Sequence, residues 1–389
     1  MPGASGSSLD DDFNGPVQDG VGRFQVTQRG GLRASTAGCY LRPVADRPNL
    51  SVVTHVQATG VRIRNGRATG VHGLRLGSPV TFTADREVIL SAGAYGSPHL
   101  LLLSGVGDPD ALVAMGITPL VESPRVGSNL SDHTVVPQVY ATARPESLHG
   151  VHGCPDSIAA FAEGRGPLTS NLVEGGGFVR SRAGLAAPDP PAVRHAGGVR
   201  GGGAGARTPP HALDGVIRTQ APQPGRVALA SPDPTAKPLV THDYFTAPLD
   251  LRTQIEGVRL TMRWAAARPL AGRLTGPLYA PGSDADEDVI PFIRARAQTA
   301  YHPVGTCAMG ADAASVVDLE LRVRGVEGLR VVDASVMPTV PRGNTNAPVI
   351  AVAEKASDLI RNGRSTCTAA EVAATYAPGT GGGPRERGE

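Results

Sequence analysis

Apolar and polar residues alternate with period two through Val61-Arg62-Ile63-Arg64, after apolar positions at Leu50, Val52, Val53 and Val56. That is the pattern of a half-buried strand. Asn65-Gly66 follows directly, so the spacing predicts a hairpin whose return strand runs from Arg67 to Leu76. Glu87-Val88-Ile89-Leu90 is short and apolar and runs into Ser91-Ala92-Gly93-Ala94, which reads as a buried strand ending in a tight loop of small residues. Ser97-Pro98 offers a cap and an N1 proline for a helix whose first buried turns are Leu100 to Leu103. Helical spacing returns over Asp250–Arg268, with Leu251, Ile255, Val258, Leu260 and Met262 apolar. Leu329-Arg330-Val331-Val332 predicts a strand leading into Asp333-Ala334-Ser335. The clearest amphipathic stripe lies in Pro348–Ile360, again with proline at N1.

Composition changes the picture in the middle and at the ends. The 389 residues include 50 glycines and 34 prolines, roughly twice ordinary usage. Six of the nine residues from Gly197 to Gly205 are glycine, so residues 188–210 are expected to form a flexible loop with too little to bury against its ordering entropy. The small, acidic residues 1–12 and the Gly/Pro/Arg/Glu-rich residues after Tyr376 are expected to be disordered. Pro222 to Pro238 reads as turns around one strand, Arg226 to Ala230.

The 37 basic and 35 acidic side chains nearly cancel, and aromatics are only 4%. Neither a basic nucleic-acid face nor a base-stacking platform is expected. Cys39, Cys154, Cys307 and Cys367 form no C-x-x-C pair, so no zinc cluster or other metal site is expected. Reduced cysteines, no apolar run long enough to span a bilayer and no leader pattern give a cytoplasmic expectation.

Taken singly, the candidate chemical residues are weak. A strand, small-residue loop and helix, as in Ile89 to Leu103, can present backbone N–H groups to a phosphate or cofactor, but simple packing uses the same pattern. A lone histidine such as His302 is more often structural than catalytic. Asn344, just before the clearest helix, could be a capping amide.

Their combination is more specific. The runs Gly93-Ala94-Tyr95-Gly96-Ser97-Pro98 through Gly107, Val126-Gly127-Ser128-Asn129-Leu130-Ser131-Asp132-His133, His302-Pro303-Val304-Gly305-Thr306 through Gly310, Leu329 through Pro338, and Gly343-Asn344-Thr345-Asn346-Ala347-Pro348 occur in that order. Together they resemble the signature blocks of the glucose–methanol–choline (GMC) flavoprotein oxidoreductases, from about Asp12 to Ile360. The likeness is greatest to the choline dehydrogenase-like and alcohol dehydrogenase-like branch.

The resemblance implies an α/β (α+β) fold. An incomplete FAD-binding, Rossmann-like part would stand beside a substrate domain whose antiparallel sheet is flanked by helices. It implies FAD as cofactor, a small-molecule alcohol as substrate, and hydride transfer from the alcohol carbon to flavin. His302 matches the family's base and Asn344 the neighbouring position that hydrogen-bonds the same oxygen. Ala92 and Gly93 match a small-residue loop packed near the cofactor, Asp333 and Ala334 the block near its ribityl and phosphate region, and Asn344 and Thr345 the start of a helix aimed at the flavin. The implied organisation is an N-terminal segment over 1–40, FAD-binding parts over 41–132 and 303–365, a substrate domain over 133–302, and a tail over 366–389.

Two departures from the family stand out. No G-x-G-x-x-G turn occurs between a strand and a helix: Gly20-Val21-Gly22 and Gly105-Val106-Gly107 both fail the pattern. Residues 12–41 match family-interior sequence instead, so the chain reads as a member lacking its ADP-binding segment. The alternative to an active alcohol oxidoreductase is therefore a catalytically silent remnant, or half of a split enzyme. Arg125 also stands where a small residue is usual.

Overall fold

The structure, a computed structural model, describes residues 8–142, 151–180, 193–197, 211–217, 225–268 and 270–362. Strand β1 (Gly20–Arg23) is met by the chain that precedes it: Asp10 N donates to Val21 O and Val21 N to Ser8 O, both at 2.9 Å. Residues 8–12 are thus ordered, contrary to expectation, because their backbone finds partners along β1. Residues 1–7 lie outside the described residues.

The expected hairpin forms from β2 (Val56–Arg64) and β3 (Arg67–Arg75), with β4 (Ser78–Thr83) added as a third antiparallel strand. Asn65 and Gly66 take φ of 50° and 75°, the left-handed pair that a two-residue turn between twisted strands requires. The apolar positions Val52 and Val53 lie before the hairpin and are exposed, so the strand-like pattern from Leu50 becomes a strand only at Val56.

Strand β5 (Val88–Leu90) leads through Gly93, at φ 78°, into helix α1 (Gly93–Leu103). The helix begins four residues before the expected Ser97-Pro98 cap, which puts Pro98 inside it. Proline has no N–H to offer the Ala94 carbonyl one turn back. Thr306 supplies the replacement, its Oγ1 donating to Ala94 O at 2.6 Å. Helix α2 (Pro109–Ala114) has the ordinary capped start, with Asp108 accepting from Ala111 N.

Strand β6 (Thr134–Thr142), helix α3 (Pro155–Ala162), strands β7 (Val173–Phe178), β8 (Val193–Gly197) and β9 (His211–Ile217), helix α4 (Pro248–Ala266), strand β10 (Leu274–Tyr279), helix α5 (Asp286–Arg296) and strand β11 (Gln298–Thr299) follow. They build a seven-stranded antiparallel sheet ordered β1-β7-β8-β9-β6-β10, with β11 also pairing β6. Strand β8 corrects the expected 188–210 flexible loop. Residues 193–197 pair through their backbone with β7 on one side and β9 on the other. The rest of that stretch, and the expected tail, lie outside the described residues. Helices α4 and α5 close one face through Val136, Ile255, Val258, Val289 and Ile293.

Strand β12 (Leu329–Val331) pairs in parallel with β5, Leu329 opposite Val88 and Val331 opposite Leu90. Arg330 Nε and Glu87 Oε2, 2.7 Å apart and mostly buried, fix that register. Helix α6 (Asn346–Asn362) starts two residues before the expected proline and packs Val352 and Ala356 toward the main core. That core gathers Leu101, Val106, Leu112, Val317, Leu329 and Val331. The architecture is α/β, a short parallel pair with helices beside a large antiparallel sheet. Among the described residues no helix is long and apolar enough to cross a membrane.

Leu101 is fully buried at the centre of this core. Leu101→Ala is expected to lower stability by about 2–5 kcal/mol. In urea unfolding this would appear as a lower midpoint with an unchanged slope.

Candidate active site

Both parallel strands end at the same side of the molecule, and open α/β sheets bind ligands beyond the carboxyl ends of their strands. Strand β5 runs into Ser91-Ala92-Gly93 and β12 into Asp333. Two further segments, 129–131 and 304–309, are laced to the second of these turns and to each other, mostly by backbone bonds. Gly305 N donates to Ala334 O (3.4 Å), Cys307 N to Ser335 O (2.9 Å) and Met309 N to Val336 O (2.9 Å), so residues 305–309 lie along 334–336. Ser131 and Val304 exchange two bonds, at 3.0 and 2.8 Å. Asn129 Nδ2 donates to Pro338 O at 3.0 Å.

The anchor of these loops is Asp132, a fully buried carboxylate that accepts from four donors. Its Oδ1 accepts from His133 N (2.8 Å) and His302 N (2.9 Å). Its Oδ2 accepts from Tyr244 Oη (2.8 Å) and Thr299 Oγ1 (2.5 Å). Charge-assisted bonds of this kind offset the cost of burying an ion. The His133 and His302 rings meet edge to face with their Nδ1 atoms 2.9 Å apart, and His133 Nε2 lies 3.0 Å from Pro341 O.

Outside this pair sits an aromatic layer. The His242 ring stacks on Tyr244 with centroids 4.8 Å apart, and its Nε2 is 3.1 Å from Tyr95 Oη. Burial pushes the His242 imidazole below its usual range against the pull of Asp132. Its Nδ1 is 3.7 Å from Asp132 Oδ2, too far for a hydrogen bond, and an imidazole held toward its neutral form there makes no ion pair. Burial, helped by the Asp132 charge, pushes the Tyr95 phenol up to about 12 and raises Tyr244 further.

Of the residues singled out in the sequence, His302 is buried in this cluster, while Asn344 is exposed. His133 links their neighbourhoods: it touches the His302 ring on one side and the Pro341 carbonyl, three residues before Asn344, on the other. Asp333 is buried and holds the β5–α1 turn. Its Oδ2 accepts from Gly93 N (2.9 Å) and Ser97 Oγ (2.5 Å), and its Oδ1 accepts from Ser335 N (2.8 Å). Ala92 is exposed, Ala334 half-buried and Thr345 buried. Asp132 and His133 stand in a signature block of the sequence without a role attached to them. The available signal was an adjacent acid and imidazole placed where a loop enters a strand. Arg125, the unusual residue, forms an exposed 3.3 Å pair with Asp312.

The fold is shared with solved flavoenzymes. A formate oxidase variant from Aspergillus oryzae, made to study FAD modification, superposes with a TM-score of 0.85 at 28% identity, covering 93% of this chain and 68% of that one. Two GMC oxidoreductase family models match residues 2–135 and 221–353. An uncharacterized GMC-type oxidoreductase of Mycobacterium tuberculosis is 42% identical over 360 residues, covering 90% of this chain and 67% of its own. An alcohol dehydrogenase [acceptor] of Pseudomonas putida is 38% identical over 368 residues, covering 91% and 65%. An oxygen-dependent choline dehydrogenase of Burkholderia thailandensis is 39% identical over 390 residues, covering 96% and 68%. The chain belongs to the GMC oxidoreductase family, whose cofactor is FAD, and spans about two thirds of the length of these curated relatives.

The residues present fit the flavin end of that cofactor. Gly93 has open space where a Cβ would stand, and Ala92 beside it is exposed. Asn344 and Asn346 offer exposed carboxamides where α6 begins. Asp333 already accepts three hydrogen bonds from this chain, two at Oδ2 and one at Oδ1, which fix the turn beside these residues.

Asp333→Asn would turn an amide N–H₂ toward donors that need an acceptor, and is expected to cost about 1–3 kcal/mol in thermal or urea unfolding. A second expectation concerns alkaline pH. The unfolded Tyr95 phenol ionises near 10.0 and the folded one at about 12. The native state therefore keeps a proton that the unfolded chain has lost, and stability should fall as pH rises from about 10 to about 12. Tyr95→Phe should flatten that decline in unfolding measured across the range.

Proposed function

We propose that this chain oxidises the CH–OH group of a small-molecule alcohol to an aldehyde or ketone, with His302 as base and Asn344 as hydrogen-bonding partner of the same oxygen. The observation that carries the reading is the immobilised His302. Its backbone N–H is bound to Asp132 and its ring to His133, in the loop cluster at the strands' carboxyl ends. FAD, when bound, supplies the hydride acceptor. His302 takes the hydroxyl proton as the alcohol carbon is oxidised, and the Asn344 carboxamide steadies the oxygen. The start of α6 contributes its positive dipole end to the same region. The relatives named as alcohol and choline dehydrogenases support a CH–OH donor. A cytoplasmic location fits the free thiols of Cys39, Cys154 and Cys307.

A second reading, a catalytically silent relative or half of a two-piece enzyme, is favoured by one observation. Among the described residues β5 pairs only with β12, and Ile89 in its middle is 43% exposed. Parallel strands are normally covered on both faces.

The test is turnover of primary alcohols and choline by the purified chain with added FAD. His302→Ala is expected to lower kcat by about 10²–10⁴-fold while flavin absorbance is retained. Unchanged turnover in that variant would refute the assignment of the base. Flavin binding that appears only when a companion polypeptide is co-expressed would favour the second reading.

A further inference from the structure

Between the base and the rest of the protein stands His133, and the hydrogen bonds around it have a direction. The Pro341 carbonyl can only accept, so His133 Nε2, 3.0 Å away, must carry a hydrogen and donate it. In a neutral imidazole the other nitrogen is then a lone-pair acceptor. His133 Nδ1 is that acceptor, and the atom facing it at 2.9 Å is His302 Nδ1. For the contact to be a hydrogen bond, His302 Nδ1 must hold the hydrogen. The same rule then leaves His302 Nε2 with the lone pair.

We propose that His133 is the positioning residue that fixes the tautomer of His302, relaying the polarity of the Pro341 carbonyl so that Nε2 of His302 is the proton-accepting atom. A general base needs its lone pair on the nitrogen that meets the substrate. An imidazole with two equivalent tautomers would present it only part of the time.

In the described contacts the nearest charge is directed away from the two rings. Asp132, the one carboxylate in contact with these residues among the described bonds, spends its oxygens on two backbone N–H groups and the hydroxyls of Tyr244 and Thr299. Neither imidazole ring is bonded to it in those contacts. His242 is held toward its neutral form by burial, and the phenols of Tyr95 and Tyr244 stay protonated. His133 itself is only 1% exposed. The catalytic meaning of the tautomer rests on the proposed function, but the tautomer does not.

Nitrogen-15 NMR of the histidine-labelled full chain reads the assignment directly, because protonated and lone-pair ring nitrogens resonate far apart. His302→Gln and His133→Asn identify the resonances by their loss. The expected spectrum has His302 with a protonated Nδ1 and a lone-pair Nε2, and His133 with the reverse. His133→Asn, whose carboxamide oxygen can stand in for the Nδ1 acceptor, should leave the His302 pattern intact. His133→Leu should shift both His302 nitrogens toward averaged positions. A wild-type His302 protonated at Nε2, or a doubly protonated His133, would overturn the proposal, and this holds even if the leucine variant fails to fold. An unchanged His302 pattern in folded His133→Leu would overturn it equally. The expected tautomers in a chain that oxidises no alcohol would leave this inference standing and count against the proposed function alone.

Discussion

The site depends on one buried negative charge. Asp132 collects donors from three stretches of chain that are far apart in sequence: His133 beside it, Tyr244 shortly before α4, and Thr299 with His302 before the 303–309 run. Removing any donor would leave part of a carboxylate unsolvated in a dry interior, which costs more than an ordinary lost hydrogen bond. The loops are therefore not free to drift apart. Their mutual position is set by an ion that has to be satisfied, and the two imidazoles inherit their placement from it.

A second constraint links this cluster to the strand ends. Asp333 ties the β5–α1 turn to β12, and Thr306 completes the helix that Pro98 would otherwise leave with an unmatched carbonyl. Two polar side chains thus do locally what the hydrophobic core does globally. The apolar cluster around Leu101 and Val331 fixes where the strands lie, and the polar atoms decide how their ends are dressed. The exposure of Ile89 belongs to the same region, at the edge of the parallel pair.

Much of this was legible in the sequence. The 56–75 hairpin follows from alternation and Asn65-Gly66, and the 88–103 strand–turn–helix from a short apolar run meeting small residues. Helix starts were misplaced, because a proline looks like an N1 residue whether or not a distant threonine can replace its missing donor. Thr306 is more than two hundred positions from the carbonyl it serves. Strand β8 was unreadable for a related reason, since backbone pairing to strands on both sides leaves no mark on composition. His302 was found from its motif, whereas Asp132 and His133 acquired meaning only when folding brought their partners to them. Asp333 was matched by resemblance to the block near the cofactor, whereas its bonds to Gly93 N and Ser97 Oγ became visible only in the fold.

Cys307 sits in the middle of the segment that joins the two halves of the site, fully buried, with its thiol raised well above the usual range by desolvation. Nucleophilic sulfur chemistry requires the thiolate, so a reagent in solution meets a doubly closed door, steric and ionic. Its modification can proceed only through openings that expose the interior. The fold thereby carries a reporter atom at its seam, and the pace at which that sulfur succumbs to an alkylating agent measures how often the two halves part.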